Sequence, residues 1–191
     1  AFLQTVALIN GDLQMNKRAL STYVTMPQVI EALTLDPMEQ SVFEQSMVLR
    51  DLLSDTLIIG LTNLVYRIRI YVPDQFFYAR EHVNVFPLSE IVDEPWYGDI
   101  GRYTYVYLPV SENYYIYNQR RRVQSIAAGI QPYKLNNEIV GVAMVDVDLD
   151  VLRAMLDAQV RSSSSVLCIV GKGSIILETG VGGSGSPFAG R

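Results

Sequence analysis

Ile139-Val140-Gly141-Val142-Ala143-Met144-Val145-Asp146-Val147-Asp148-Leu149-Asp150-Val151-Leu152 is the stretch whose reading decides the fold. Its first part is an almost unbroken apolar run, the pattern of a buried strand. Asp148-Leu149-Asp150 then leaves the sheet and opens a helix, with a carboxylate placed to accept the first free N–H groups. Upstream, Val123 to Tyr133 reads as a long strand, and Lys134-Leu135-Asn136-Asn137-Glu138 as the polar turn joining the two. A hairpin that feeds a helix, placed after long helices, predicts an α+β domain. Its antiparallel sheet should have about five strands, with a long N-terminal helix packed on it.

The helices come first. Phe2, Val6, Ile9, Leu13, Asn16, Leu20 and Val24 form one stripe at helical spacing. The rod of about 24 residues would be about 36 Å long, so one end is expected to protrude. Asn16 on that stripe either fixes register with a partner helix or sits at a solvated edge. Pro27 ends or kinks the rod, and Asp36-Pro37 breaks the pattern again. A second helix is expected from about Met38 to Gly60, with Val42, Leu49, Leu52, Leu53 and Leu57 on its apolar face.

Alternation follows. Tyr66, Ile68, Ile70 and Val72 point one way and Arg67, Arg69 and Tyr71 the other. Phe76 to Val85 reads as a second strand or hairpin arm, and Pro87-Leu88-Ser89-Glu90-Ile91 as a short helix leading to Trp96 and Tyr97. In Tyr103-Thr104-Tyr105-Val106-Tyr107-Leu108 the tyrosines share a face opposite Val106 and Leu108. Such a face suits a ligand pocket, or consists simply of good strand formers. Val166 to Val170 and Ser174 to Glu178 form a hairpin, and the Gly/Ser-rich end should be floppy.

A formal net charge of −5 argues against a nucleic-acid partner, which needs clustered cations to neutralise phosphates. Arg120-Arg121-Arg122 reads as the solvated start of a strand. The single cysteine, Cys168, excludes an internal disulfide and reads as a buried inert thiol. No signal peptide is evident, and the longest apolar run, Leu57 to Val65, is too short to cross a bilayer. The chain is therefore expected to be a soluble piece of a longer protein.

Chemical motifs are weak. Gly180 to Gly185 fits G-x-G-x-x-G, but Ser186-Pro187 follows where a helix must begin. Asp146, Asp148 and Asp150 have calcium-loop spacing, but Val151 stands where that loop needs glycine. A strand end and helix cap explain the three better. His82 and Cys168 lie on different elements, and no nucleophile elbow or zinc spacing occurs. No catalytic residue, metal ligand or cofactor is expected, and no enzyme is indicated.

The order of elements resembles the double Cache (dCache), PAS-like extracellular sensor domains of bacterial membrane receptors, above all those of histidine kinases. The likeness rests on Val65-Tyr66-Arg67-Ile68-Arg69-Ile70-Tyr71-Val72-Pro73, on Glu94-Pro95-Trp96-Tyr97, and on Ile139 to Leu149. It implies a long helical region at 1–60, a membrane-distal module at 61–160, and the truncated beginning of a membrane-proximal module at 161–191 with a flexible tail. It also implies a parent anchored in the membrane and a sensor on its extracellular face. Amino-acid-binding members carry an Arg where this chain has Glu94, so the resemblance implies a sugar or other organic ligand before an amino acid.

Trp96, Tyr97, Tyr103, Tyr105, Tyr107 and Arg69 are the candidate ligand-binding residues. The expected function is extracytoplasmic ligand sensing for a transmembrane receptor, a two-component histidine kinase, with the N-terminal helix transmitting the signal. The alternatives are a ligand-free module that dimerises or senses a partner, with a homodimer as its form, and the input domain of a chemoreceptor.

Overall fold

The computed structural model describes residues 2–56, 59, 62–80, 83–101, 104–114, 120–132, 138–158, 166–171 and 174–180. Its centre is the expected hairpin. β5 (Arg120–Ile130) and β6 (Gly141–Asp148) pair antiparallel, from Val123↔Asp148 to Ile130↔Gly141. The turn residues 133–137 lie outside the described set. Every residue of β6 is buried, as an apolar run between two covering layers requires. β1 (Val65–Val72) pairs antiparallel on the other side of β6, with Ile68↔Val145 and Ile70↔Ala143.

β2 (Val85–Pro87), β3 (Val106–Tyr107) and β4 (Ser111–Tyr114) complete a six-stranded sheet in the order β2-β1-β6-β5-β3, with β4 also on β5. One expectation needs correction here. The sheet is mixed, because β2 runs parallel to β1. A parallel neighbour needs a crossover of about a dozen residues, and the segment from Pro73 to Asn84 supplies it. Phe76 to Val85 is therefore not a hairpin arm. A 3-10 turn at Phe77–Arg80 occupies it, with Phe76 and Tyr78 buried and their rings 5.0 Å apart.

α1 (Phe2–Val24) lies on one face of the sheet, followed by α2 (Pro27–Thr34) and α3 (Val42–Asp55). The second helix is thus shorter than its apolar pattern implied. Asp36 accepts from the backbone N–H of Met38 and starts a separate turn at Pro37–Glu39. Ser41 and Glu44 then close a capping box at the start of α3. Two hydrogen bonds from Ser41 hold the Glu44 carboxyl below its usual range. In α1, Ile9, Leu20, Tyr23 and Val24 are buried against Ile70, Ile126, Ala143 and Val145, while Leu3, Val6 and Leu8 stay exposed. The first turns of the rod therefore project beyond the sheet. Tyr23 donates its hydroxyl to Leu52 O at 3.2 Å and ties α1 to α3; burial pushes its pKa well up.

Asn16 meets neither a partner helix nor solvent. It is 1% exposed, and its Oδ1 accepts from the Thr62 hydroxyl at 2.9 Å. Its amide nitrogen has no partner among the described residues. An orphan buried donor costs about 1–3 kcal/mol, whereas apolar replacement of both partners removes that cost. The double variant Asn16→Leu/Thr62→Val should gain about 1–3 kcal/mol in urea unfolding. Asn16→Leu alone should gain less, because it strands the Thr62 hydroxyl.

After the short α4 (Tyr97–Ile100), α5 (Leu149–Asp157) starts where the acidic step predicts. Asp148 Oδ1 accepts from the N–H groups of Asp150, at 2.8 Å, and Val151, at 3.1 Å. β7 (Val166–Gly171) and β8 (Ser174–Gly180) form a separate two-stranded antiparallel sheet. Residues 181–191, read as a floppy tail, lie outside the described residues.

Candidate functional site

Alternation sorts the sheet into two faces. Ile70 and Val72 of β1, Ile126 and Ala128 of β5, and Ala143, Val145 and Val147 of β6 face α1. The opposite phase carries Arg69 and Tyr71, Ser125 and Ala127, and Met144 and Asp146. That second face is covered by Leu88, Ile91, Trp96, Tyr97 and Ile100. Coverage is incomplete. A cavity of about 540 Å³ remains, lined by Arg69, Tyr71, Glu90, Ile91, Glu94, Pro95, Trp96, Leu108, Pro109, Val110, Ser111, Ser125 and Met144.

Its floor is a polar cluster on the three adjacent strands β1, β6 and β5. Arg69 Nη2 donates to Asp146 Oδ1 at 2.6 Å and to Ser125 Oγ at 3.1 Å. Arg69 Nη1 donates to the Tyr71 hydroxyl at 2.9 Å, and Ser125 Oγ donates to Asp146 Oδ1 at 2.5 Å. Register explains the meeting: Ser125 pairs directly with Asp146, and Arg69 pairs with Met144, two residues along β6. The Asp146 side chain is fully buried and that of Arg69 is 16% exposed. Burial opposes the charge on Arg69, but the Asp146 carboxylate and the Tyr71 hydroxyl outweigh it and hold the guanidinium pKa up. Burial raises the Tyr71 pKa, against the pull of Arg69.

Arg69 and Trp96 both line this cavity. Tyr97 is their neighbour on the covering layer, its ring 6.5 Å from that of Trp96. Tyr103 lies outside the described residues. Tyr105 and Tyr107 are not in the cavity. They pack on the α1 side, and Val106 and Leu108 take the cavity side. The tyrosine face read as a possible pocket wall instead meets Lys17 of α1, whose Nζ stands 5.3 Å from the Tyr105 ring centre and 5.0 Å from that of Tyr107. Beside it runs a crevice of about 90 Å³ lined by Leu13, Lys17, Tyr107 and Ile126, among others.

Sequence reasoning missed Asp146, Ser125, Tyr71 and Glu90. The available signal was a carboxylate inside an otherwise apolar strand, in the phase opposite Val145 and Val147. Among the described residues, no cluster of His, Cys, Asp and Glu side chains is arranged to hold a metal ion. Glu94 stands on the wall two residues from Trp96, where an amino-acid sensor would carry Arg.

The architecture overlays a solved one. The periplasmic sensory domain of the Campylobacter jejuni chemoreceptor Tlp1 aligns with 93% of this chain and 69% of its own length, at a TM-score of 0.64 and 11% identity. This chain shares its fold with that sensory domain. The extracellular domain of vpHK1S-Z8, a protein assigned as a histidine kinase, aligns with 82% of this chain and 61% of its own length. Its TM-score of 0.42 at 10% identity is too low to bear on the fold. No protein-family model matches the chain, and no curated protein matches it in sequence. No helix among the described residues is long and apolar enough to cross a membrane.

Proposed function

We propose that this chain is an extracytoplasmic ligand-sensing domain of a bacterial transmembrane receptor, with the cavity over Arg69 as ligand site and α1 as output. The sequence resemblance favours a histidine kinase as parent, and the fold shared with a chemoreceptor sensor makes chemoreceptor input the alternative. On this reading 61–160 is the membrane-distal module, and the separate β7–β8 sheet opens a proximal one.

The position of β3 carries the proposal. Leu108, directly after this short strand, lines the cavity, while Tyr105 and Tyr107 sit under Lys17 of α1 on the other side. A ligand that displaces Leu108 therefore displaces the rings that hold the helix. A ligand binding one arrangement about 1.4 kcal/mol better shifts the balance roughly tenfold.

A thermal-shift screen of sugars, organic acids, amino acids and amines should find a compound that raises the melting temperature. Leu108→Trp should abolish that shift; a shift that survives it defeats the cavity assignment. Lys17→Met should cost about 0.5–2 kcal/mol, the range for a half-buried cation–π contact. It should leave ligand affinity intact but remove the ligand-induced change in hydrogen exchange along α1.

A second reading has one observation behind it. Leu8 and Met15 of α1, seven residues apart on one helix face, are exposed, at 56% and 41%. They suit helix pairing in a homodimer that senses a partner. Sedimentation with and without a Leu8→Glu change decides whether α1 self-associates.

A further inference from the structure

The charges around the cavity narrow the ligand class. Arg69 is the cation of the described lining, and it is already committed. Its Nη atoms are taken by Tyr71, Ser125 and Asp146. Its Nε has no partner, but the atom is buried and presents no surface. A carboxylate ligand binds Arg best through two parallel N–H bonds, and no such edge is offered here. The Asp146 carboxylate, 2.6 Å away, also cancels the charge.

The walls carry the opposite sign. Tyr97 N–H bonds back to Glu94 O at 2.9 Å, and Glu94 and Trp96, two residues apart in this turn, both line the cavity. Carboxylate and indole together suit a positive nitrogen, the first by charge and the second by its π face. At the floor, the buried Tyr71 hydroxyl accepts from Arg69, so its own proton is left to donate to a neutral oxygen. Ile91, Leu108 and Met144 supply an apolar side.

Resting on the cavity being the ligand site, we propose that it takes a small organic cation, an amine or quaternary ammonium compound, with its nitrogen between Glu94 and Trp96. The chain thereby excludes small carboxylates.

Choline and its uncharged carbon isostere, dimethylbutanol, separate charge from shape, since both keep the hydroxyl. Titration calorimetry on the whole chain, with glucose and malate as further probes, should rank choline first. The isostere should bind about tenfold more weakly. Glu94→Gln, a change at an exposed side chain, should weaken choline about tenfold and leave the isostere unchanged. Equal binding of choline and isostere, or tighter binding of glucose or malate that Leu108→Trp abolishes, overturns the cation assignment and keeps the cavity as the site. Choline binding that ignores both Glu94→Gln and Leu108→Trp overturns both. Absence of binding by all four probes at millimolar concentration also counts against the cation.

Discussion

Asp146→Ala is expected to lower the unfolding free energy by about 3–5 kcal/mol. The carboxylate lies on the central strand β6, fully buried, and receives Arg69 at 2.6 Å and Ser125 at 2.5 Å. Its removal leaves a guanidinium mostly out of water with nothing to balance it, which is the costly way to break a buried pair. The pair itself need not be stabilising. The double variant Arg69→Met/Asp146→Leu should therefore recover most of the loss, since well-packed apolar replacements of buried ion pairs are often neutral or better. Urea unfolding of wild type, Asp146→Ala and the double variant tests this directly. A single variant as stable as wild type would mean that water reaches Arg69 freely.

Gly141→Ala should destabilise by about 1–3 kcal/mol, from overpacking alone. A Cβ built there stands 2.9 Å from the Tyr71 carbonyl oxygen and 2.7 Å from Leu33 Cδ1. The leucine can turn aside. The carbonyl belongs to β1, which is paired with β6, and cannot move without the sheet. Gly129 makes the control. A Cβ there meets Ile100 Cγ2 at 2.6 Å, and its three nearest neighbours are all side-chain atoms, so a side-chain shift can relieve it. Gly129→Ala should cost clearly less in the same urea series. Equal losses would mean that the β1–β6 spacing is softer than its register suggests. Because Gly141 also sits beside Leu33 of α2, its substitution should loosen that helix first, visible as faster amide exchange in Pro27–Thr34.

What the sequence made legible follows the length of each signal. The β5–β6 hairpin, the Asp148 cap and the α1 stripe are long patterns, and each appears where its residues place it. The alternation in β1 correctly put Arg69 and Tyr71 opposite Ile70. In β3 the alternation holds, with Tyr105 and Tyr107 on one face and Val106 and Leu108 on the other, but a two-residue strand carries no mark of which face meets the helix. Its tyrosines, read as pocket walls or as plain strand formers, meet Lys17 of α1. Asp146 was hidden by its neighbours: with Asp148 and Asp150 it resembles one acidic run, though only Asp148 caps α5, while Asp146 takes Arg69 and Ser125. Phe76 and Tyr78 are both buried around an exposed Phe77, so a 3-10 turn imitated strand alternation.

The polar floor spans three bonded strands, whereas Glu94, Trp96 and Leu108 lie on short segments above it. On the proposed reading, exchange of this loop-borne trio would change which compounds the cavity accepts, while the hydrogen-bonded strands beneath it stay as they are.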